Sequence, residues 1–315
     1  MRRARDLALI LSLAVPAGAA ADMAYITNQN GDSLSVLDLT TRTEVLRFDL
    51  PGQPAGIAAG PDGRLYTVSP DSKTVRRLDP ETGDALAEVR LDGGPTGIAY
   101  DASRGQVFVS DWYNARLWAL DAETLEVEAE LETAAAPAGL ALSPDDRWLA
   151  AAERDADRVT LWDAGTLEPH ARISVGTRPY GLRFAPDGRL FVGNVGTNDL
   201  SVIEPEAGTV TATIPVGERP YGVAFAQGRA FVTNQYAGTI SVIALDTLDT
   251  VATLNAGEYP EGVDDAENGA IIVVANWFDN SVSLIDAATL EVMEEIATGD
   301  GPRAFGEFIL GGETP

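Results

Sequence analysis

From residue 22 onward, apolar and polar positions alternate over short stretches, each closed by turn residues. No stretch carries the 3.6-residue apolar period of an amphipathic helix. This pattern predicts short β-strands throughout. Three landmarks then recur. The first is Pro-x-Gly followed by an apolar residue. It stands at Pro54, Pro95, Pro137, Pro179, Pro220 and Pro260, with a degenerate copy at Pro302-Arg303-Ala304. The second is an apolar run ending in a polar residue: Asn28, Ser69, Asp111, Glu153, Asn194, Asn234 and Asn276. The third is Ser-Val-Leu/Ile-Asp or a variant, ending at residues 38, 79, 121, 163, 204, 244 and 286. The second landmark precedes the third by ten residues in all seven copies, and the third precedes the next Pro by sixteen.

Each repeat reads as four strands, A to D from the inside outward. In the fifth repeat they cover residues 181–184, the run ending at Asn194, residues 200–203 and residues 210–216. Turn residues such as Pro186-Asp187-Gly188 separate them. A four-strand unit repeated seven times predicts an all-β, seven-bladed β-propeller. Strands B to D of the first repeat open the ring at Tyr25, and residues 303–309 supply its missing strand A. The C-terminal strand is therefore expected to join the N-terminal blade and remove the open edges.

Residues 1–21 read differently. A basic start (Arg2, Arg3, Arg5), an apolar run over residues 7–15 and small residues at 17–21 predict a secretory signal peptide. The apolar run is too short to span a bilayer. The expected organisation is a signal peptide over 1–21 and one propeller domain over 22–315, in the periplasm or secreted, with no transmembrane segment. Composition narrows the chemistry. Forty-eight acidic residues against 22 basic give a charge of −26, which is unfavourable for nucleic acid. The absence of cysteine excludes disulfides and thiol nucleophiles. A single histidine, His170, on an outer strand, leaves haem ligation and Ser-His-Asp chemistry without parts.

The elements Tyr25-Ile26-Thr27-Asn28, Phe231-Val232-Thr233-Asn234 and Pro220-Tyr221-Gly222-Val223 resemble the YVTN-type β-propeller repeat family, over essentially the whole mature chain. The resemblance implies an exported seven-bladed propeller similar to periplasmic propellers associated with PQQ catabolism. It does not fix a function, because propellers carry function on their loops.

The D–A and B–C connections share one face, here called the top. The residue between Pro and Gly is expected to point into the central funnel. It is Ala55, Thr96 and Ala138 in blades two to four, but Tyr180, Tyr221, Glu261 and Arg303 in blades five, six, seven and one. The residue before Pro repeats the asymmetry with Arg178, Arg219 and Tyr259. The B–C loops add Trp112, Tyr113, Tyr236, Trp277 and Phe278. These twelve residues are the candidate ligand-binding set, while Trp118, Trp148 and Trp162 fall in strands and are expected to pack. Aromatic faces offer contact area, and Arg or Glu offers orientation.

The leading expectation is a non-enzymatic, monomeric binding or scaffold protein. It would engage a small molecule or a periplasmic partner such as a dehydrogenase or cytochrome. One alternative is a lactonase- or hydrolase-type enzyme with a funnel carboxylate, in which Glu261, Asn194, Asn234 and Asn276 would mimic a metal cage. Another is a subunit of a quinone-dependent dehydrogenase system. No catalytic residue, metal site or cofactor is assigned. Calcium at the acidic run 153–157 lacks a full loop pattern, and the run reads as solvated surface.

Overall fold

The computed structural model describes residues 21–311. The signal peptide expected over residues 1–21 therefore lies, but for Ala21, outside the described residues. The described chain forms seven four-stranded antiparallel blades, the expected all-β propeller, with one 3-10 turn at Arg154–Ala156 as its helical content. Blade five shows the unit: Pro179–Phe184, Leu190–Asn194, Asp199–Glu204 and Thr209–Pro215.

Strands B and C are buried along almost their whole length, and the D strands alternate between exposed and half-buried. The cause is face-to-face stacking, which covers both faces of each blade. One core cluster thus joins Ile26 and Leu34 of blade one to Ile57 and Leu65 of blade two and to Val273 and Leu284 of blade seven. Trp118, Trp148 and Trp162 pack in strands as expected.

The repeated polar positions are internal fasteners. The Asn28, Asn194, Asn234 and Asn276 amides donate to Ser35, Ser201, Ser241 and Ser283 on strand C at 2.8–2.9 Å. In blade four Glu153 takes the same place: fully buried, it accepts from Thr160, from the Ala134 N–H and from Arg158. The acidic run is therefore solvated only in part, because its first residue closes the blade. These bonds tie Asn194, Asn234 and Asn276 into their own blades through their amide nitrogens. The Asp that ends strand C accepts backbone N–H groups of the C–D turn, as Asp79, Asp121 and Asp286 do. That is the Asx-turn role of aspartate.

The glycine of Pro-x-Gly marks where neighbouring inner strands touch. A Cβ on Gly97, Gly139 or Gly181 would lie 2.1, 2.5 or 1.8 Å from the carbonyl oxygen of the next blade's x residue. The A–B register shifts between this Pro and the residue after Gly in blades three to seven. A bulge of this kind re-aims a side chain, and here it turns x toward the ring axis.

Closure follows the expected route with one departure. Residues Ile309–Leu310 pair antiparallel with Met23 and Ala24, and Pro302 bridges Asn28. Between these contacts the strand leaves blade one. Ala304, standing where other repeats have Gly, adopts φ 46°. Phe305–Glu307 then pairs in parallel with Gly56–Ala58 of blade two. This segment lies across the axis and packs on the inner strands of blades two, three, four and seven.

Candidate functional site

On the top face the two sets of loops are fastened to each other. In blades five to seven the carbonyl before Pro accepts the first N–H of the B–C loop: Arg178 from Val195, Arg219 from Gln235, Tyr259 from Trp277, at 2.9–3.1 Å. Arg178, Arg219 and Tyr259 hold φ of 55–62° there, at a cost of roughly 1–2 kcal/mol each. The rim is thus rigid, and the side chains above it are set by backbone geometry.

A cavity of about 280 Å³ opens among blades five, six, seven and one. It is lined by eight of the twelve expected residues: Tyr180, Arg219, Tyr221, Tyr259, Glu261, Trp277, Phe278 and Arg303. Val195 and Gln235 complete it. The other four lie elsewhere on the rim. Trp112 leans on Tyr180 with ring centroids 6.1 Å apart, and Arg154 lies over Trp112. Tyr113 is 75% exposed beside Gly94. Tyr236 lies under the Arg219 guanidinium at 4.3 Å. Arg178 is exposed, and its backbone N–H donates to Asp157.

Arg303 organises the floor. Its Nη2 donates to the Tyr180 and Tyr221 hydroxyls at 3.0 and 2.7 Å, and its Nη1 donates to Gln29 at 2.7 Å. Its Nε donates to Tyr221 at 2.9 Å and lies 3.3 Å from Glu261 Oε2. The Gln235 amide donates to Glu261 Oε1. Burial pushes the Glu261 carboxyl up from its ordinary value, against the pull of Arg303 and Gln235. Burial also pushes the Tyr221 hydroxyl well up, and the Tyr259 hydroxyl to about 12. Arg303 rises despite its burial, because Tyr221 and Glu261 favour its charge.

Beneath this floor Phe305 packs on Tyr180 and Tyr221, at centroid distances of 5.1 and 5.4 Å, with Ala138 beside them. These rings close the funnel from below. A second cavity of about 460 Å³ lies under them, lined by the inner strands. There Arg183 is flanked by Asp264, Asp265 and Glu307. Burial pushes Asp265 and Glu307 up, against the pull of Arg183.

Sequence reasoning missed Gln29, Val195, Phe305 and this lower cluster, and its candidate set left out Gln235. The lower cluster did leave a signal. The second residue after Gly is Ala58, Ala99, Ala141 and Ala224 in four blades, but Arg183 and Asp264 in two, and those two pair. His170 is exposed on an outer strand, 4.4 Å from the Trp148 ring, with Nε2 facing backbone carbonyls of Pro205 and Glu206. Among the described residues no group of three or more His, Cys, Asp or Glu could hold a metal ion. Among them no helix is long and apolar enough to cross a membrane.

The PQQ_2 family model, described as outer membrane protein assembly factor BamB, matches residues 30–152. No curated protein matches the chain in sequence. Among solved structures, hydrazine synthase of Kuenenia stuttgartiensis is similar over 90% of this chain and 100% of its own, with a TM-score of 0.75 and 19% identity. Dihydro-heme d1 dehydrogenase NirN in complex with DHE is similar over 90% of this chain and 73% of its own, with a TM-score of 0.66 and 17% identity. At these identities the likeness to solved structures is one of fold. The chain is a seven-bladed propeller, part of which is similar to BamB-type propeller repeats.

Proposed function

We propose that this chain is an exported, non-enzymatic binding propeller of the YVTN type that takes a small aromatic ligand in its top-face funnel. One observation carries the reading. Four blades converge on one cavity that combines ring faces with a buried Glu261–Arg303 pair. Ring faces beside a few precisely placed polar groups are usual features of a small-molecule site. The volume, about 280 Å³, suits one ring or a fused pair. The signal-peptide pattern of residues 1–21 supports export to the periplasm. A fold neighbour solved in complex with DHE supports a small-molecule role by analogy of fold alone.

Tyr180 and Tyr221 are poor test sites, because both also build the floor beneath the cavity. Trp277 is half-buried on the wall and serves better. Ligand-observed NMR with small aromatic compounds is expected to show binding to the native protein and its loss in Trp277→Ala. The absence of binding, or binding indifferent to Trp277→Ala, overturns the reading. A second reading, docking of a periplasmic redox or catabolic protein, draws on Tyr113, Tyr236 and Phe278, each more than half exposed on the rim. Co-purification of a stoichiometric partner that is lost in Tyr113→Ser/Phe278→Ser would support it, and a chain that purifies alone would count against it.

A further inference from the structure

From the hydrogen bonds of the funnel we infer the class of its ligand: a planar ring that is not a cation and carries an N–H or O–H donor on one edge. The inference rests on the funnel being a small-molecule site. Gln235 and Glu261 are 4% and 3% exposed, and both line the cavity. Gln235 gives its amide to Glu261 Oε1, which fixes its orientation, since a flipped amide would set oxygen against carboxylate. Gln235 Oε1 is then left with no hydrogen-bond partner in the protein. Glu261 Oε2, 3.3 Å from Arg303 Nε, has the Tyr221 hydroxyl as a neighbouring donor. Gln235 Oε1 is thus the buried acceptor of the pair that lacks a donor. A buried polar atom left unmatched is costly, so a ligand gains by supplying what is missing.

Arg303 does not supply it. Its Nε and both Nη2 hydrogens go to the two tyrosines, and one Nη1 hydrogen goes to Gln29. The Tyr221 hydroxyl accepts two of these bonds, which leaves its own O–H to donate beside Glu261. Among the residues that line the cavity, the buried nitrogen without a partner is Arg219 Nε, against Tyr236, which leaves room for one acceptor on the ligand.

Charge sets the second condition. Glu261 and Arg303 already neutralise each other, and the Arg219 guanidinium lines the same cavity over Tyr236, so a further cation would enter a buried place without a counter-ion. An ammonium would sit beside the Arg303 guanidinium, which is 3.3 Å from Glu261 Oε2. The walls set the third condition. Trp277, Tyr259 and Phe278 present ring faces, and the last two meet at a centroid distance of 4.8 Å. Such walls favour a flat partner.

The test uses three matched probes on the native protein: catechol, 1,2-dimethoxybenzene and benzylamine. Affinity is read by NMR titration, with Trp277→Ala reporting location. Catechol is expected to bind at least about tenfold more tightly than its dimethyl ether and than benzylamine. Gln235→Met is expected to remove most of that preference; a melting curve checks its fold, and the ether comparison stands without it. If the ether or benzylamine binds as tightly as catechol, with the same dependence on Trp277, the inference fails while the funnel site survives. If no probe binds, or none responds to Trp277→Ala, the funnel reading fails and the inference goes with it.

Discussion

At the scale of single residues, two positions show how little room the ring leaves. Gly181 faces the Tyr221 carbonyl so closely that a Cβ would lie 1.8 Å from its oxygen. Gly181→Ala is expected to lower stability by about 1–3 kcal/mol, as overpacking does. Chemical denaturation measures this, and an unchanged midpoint would show that the blades can part there. The second position is the Glu261–Arg303 pair. Breaking a buried pair by removing one partner costs about 3–5 kcal/mol, whereas replacing both costs far less. Arg303→Leu is thus expected to melt well below the native protein, and Arg303→Leu/Glu261→Leu to recover most of the loss. A double variant as unstable as the single would assign the loss to the Arg303–tyrosine bonds instead.

At the scale of strands, the segment from Pro302 to Leu310 does two jobs. It completes blade one, and it sends Phe305–Glu307 across the axis. A chain ending at Gly301 would lose Phe308, fully buried in the core, and uncover the edge at Met23–Asn28. Such a chain is expected to aggregate or melt early in size-exclusion and thermal assays; native-like behaviour in both would refute the clasp. Phe305→Ala is expected to cost about 3–5 kcal/mol. This segment also marks where the sequence stops being readable. Six blades repeat the same spacing, so their strands, turns and inward-pointing residues follow from the pattern. The seventh inner strand has Ala304 for Gly and then Phe305-Gly306-Glu307, and nothing local shows that it pairs in parallel with blade two. Its path is set by contacts distant in sequence, including the Phe308 N–H bond to Asp264 on blade seven, 44 residues away, and the Phe305 N–H bond to Ala55 on blade two. The funnel was legible for the same reason in reverse. Tyr180, Tyr221 and Glu261 occupy one bulged position of a repeated unit, so their convergence was a matter of counting. Gln235 and Gln29 became visible only once side chains could be followed to their partners.

For the whole molecule, acidity and closure have separate consequences. Glu261, Asp265 and Glu307 are raised by burial. A carboxyl raised in the folded state binds its proton more tightly there than in the unfolded chain. Stability from these groups is full below the ordinary carboxylate range, ~4, and falls as pH rises through their folded values. Asp111 is lowered: burial opposes this, but the Gly94 N–H, Asn114, Arg116 and the Tyr113 N–H outweigh it. The Asp121 and Asp286 turn caps are lowered by backbone N–H groups of Thr124 and Thr289. Their contribution is present above ~4 and lost as pH falls below it. Relief of self-repulsion in a chain of charge −26 adds to the first effect. The melting temperature is therefore expected to rise as pH drops from 7 toward 5 and to fall below about 4. A scan that declines steadily from pH 7 would show that the raised carboxyls do not matter. Closure has a different consequence, in chain entropy. Neighbouring blades meet across short spans, as Thr27 meets Ala55 over 28 residues, while Thr27 meets Ala304 over 277. Loop-closure cost grows only as the logarithm of span, so this tenfold longer reach costs about 2 kcal/mol more. Burial of Phe308 alone offsets that. A ring this large can therefore be sealed by a few hydrogen bonds and one phenylalanine, without a cross-link.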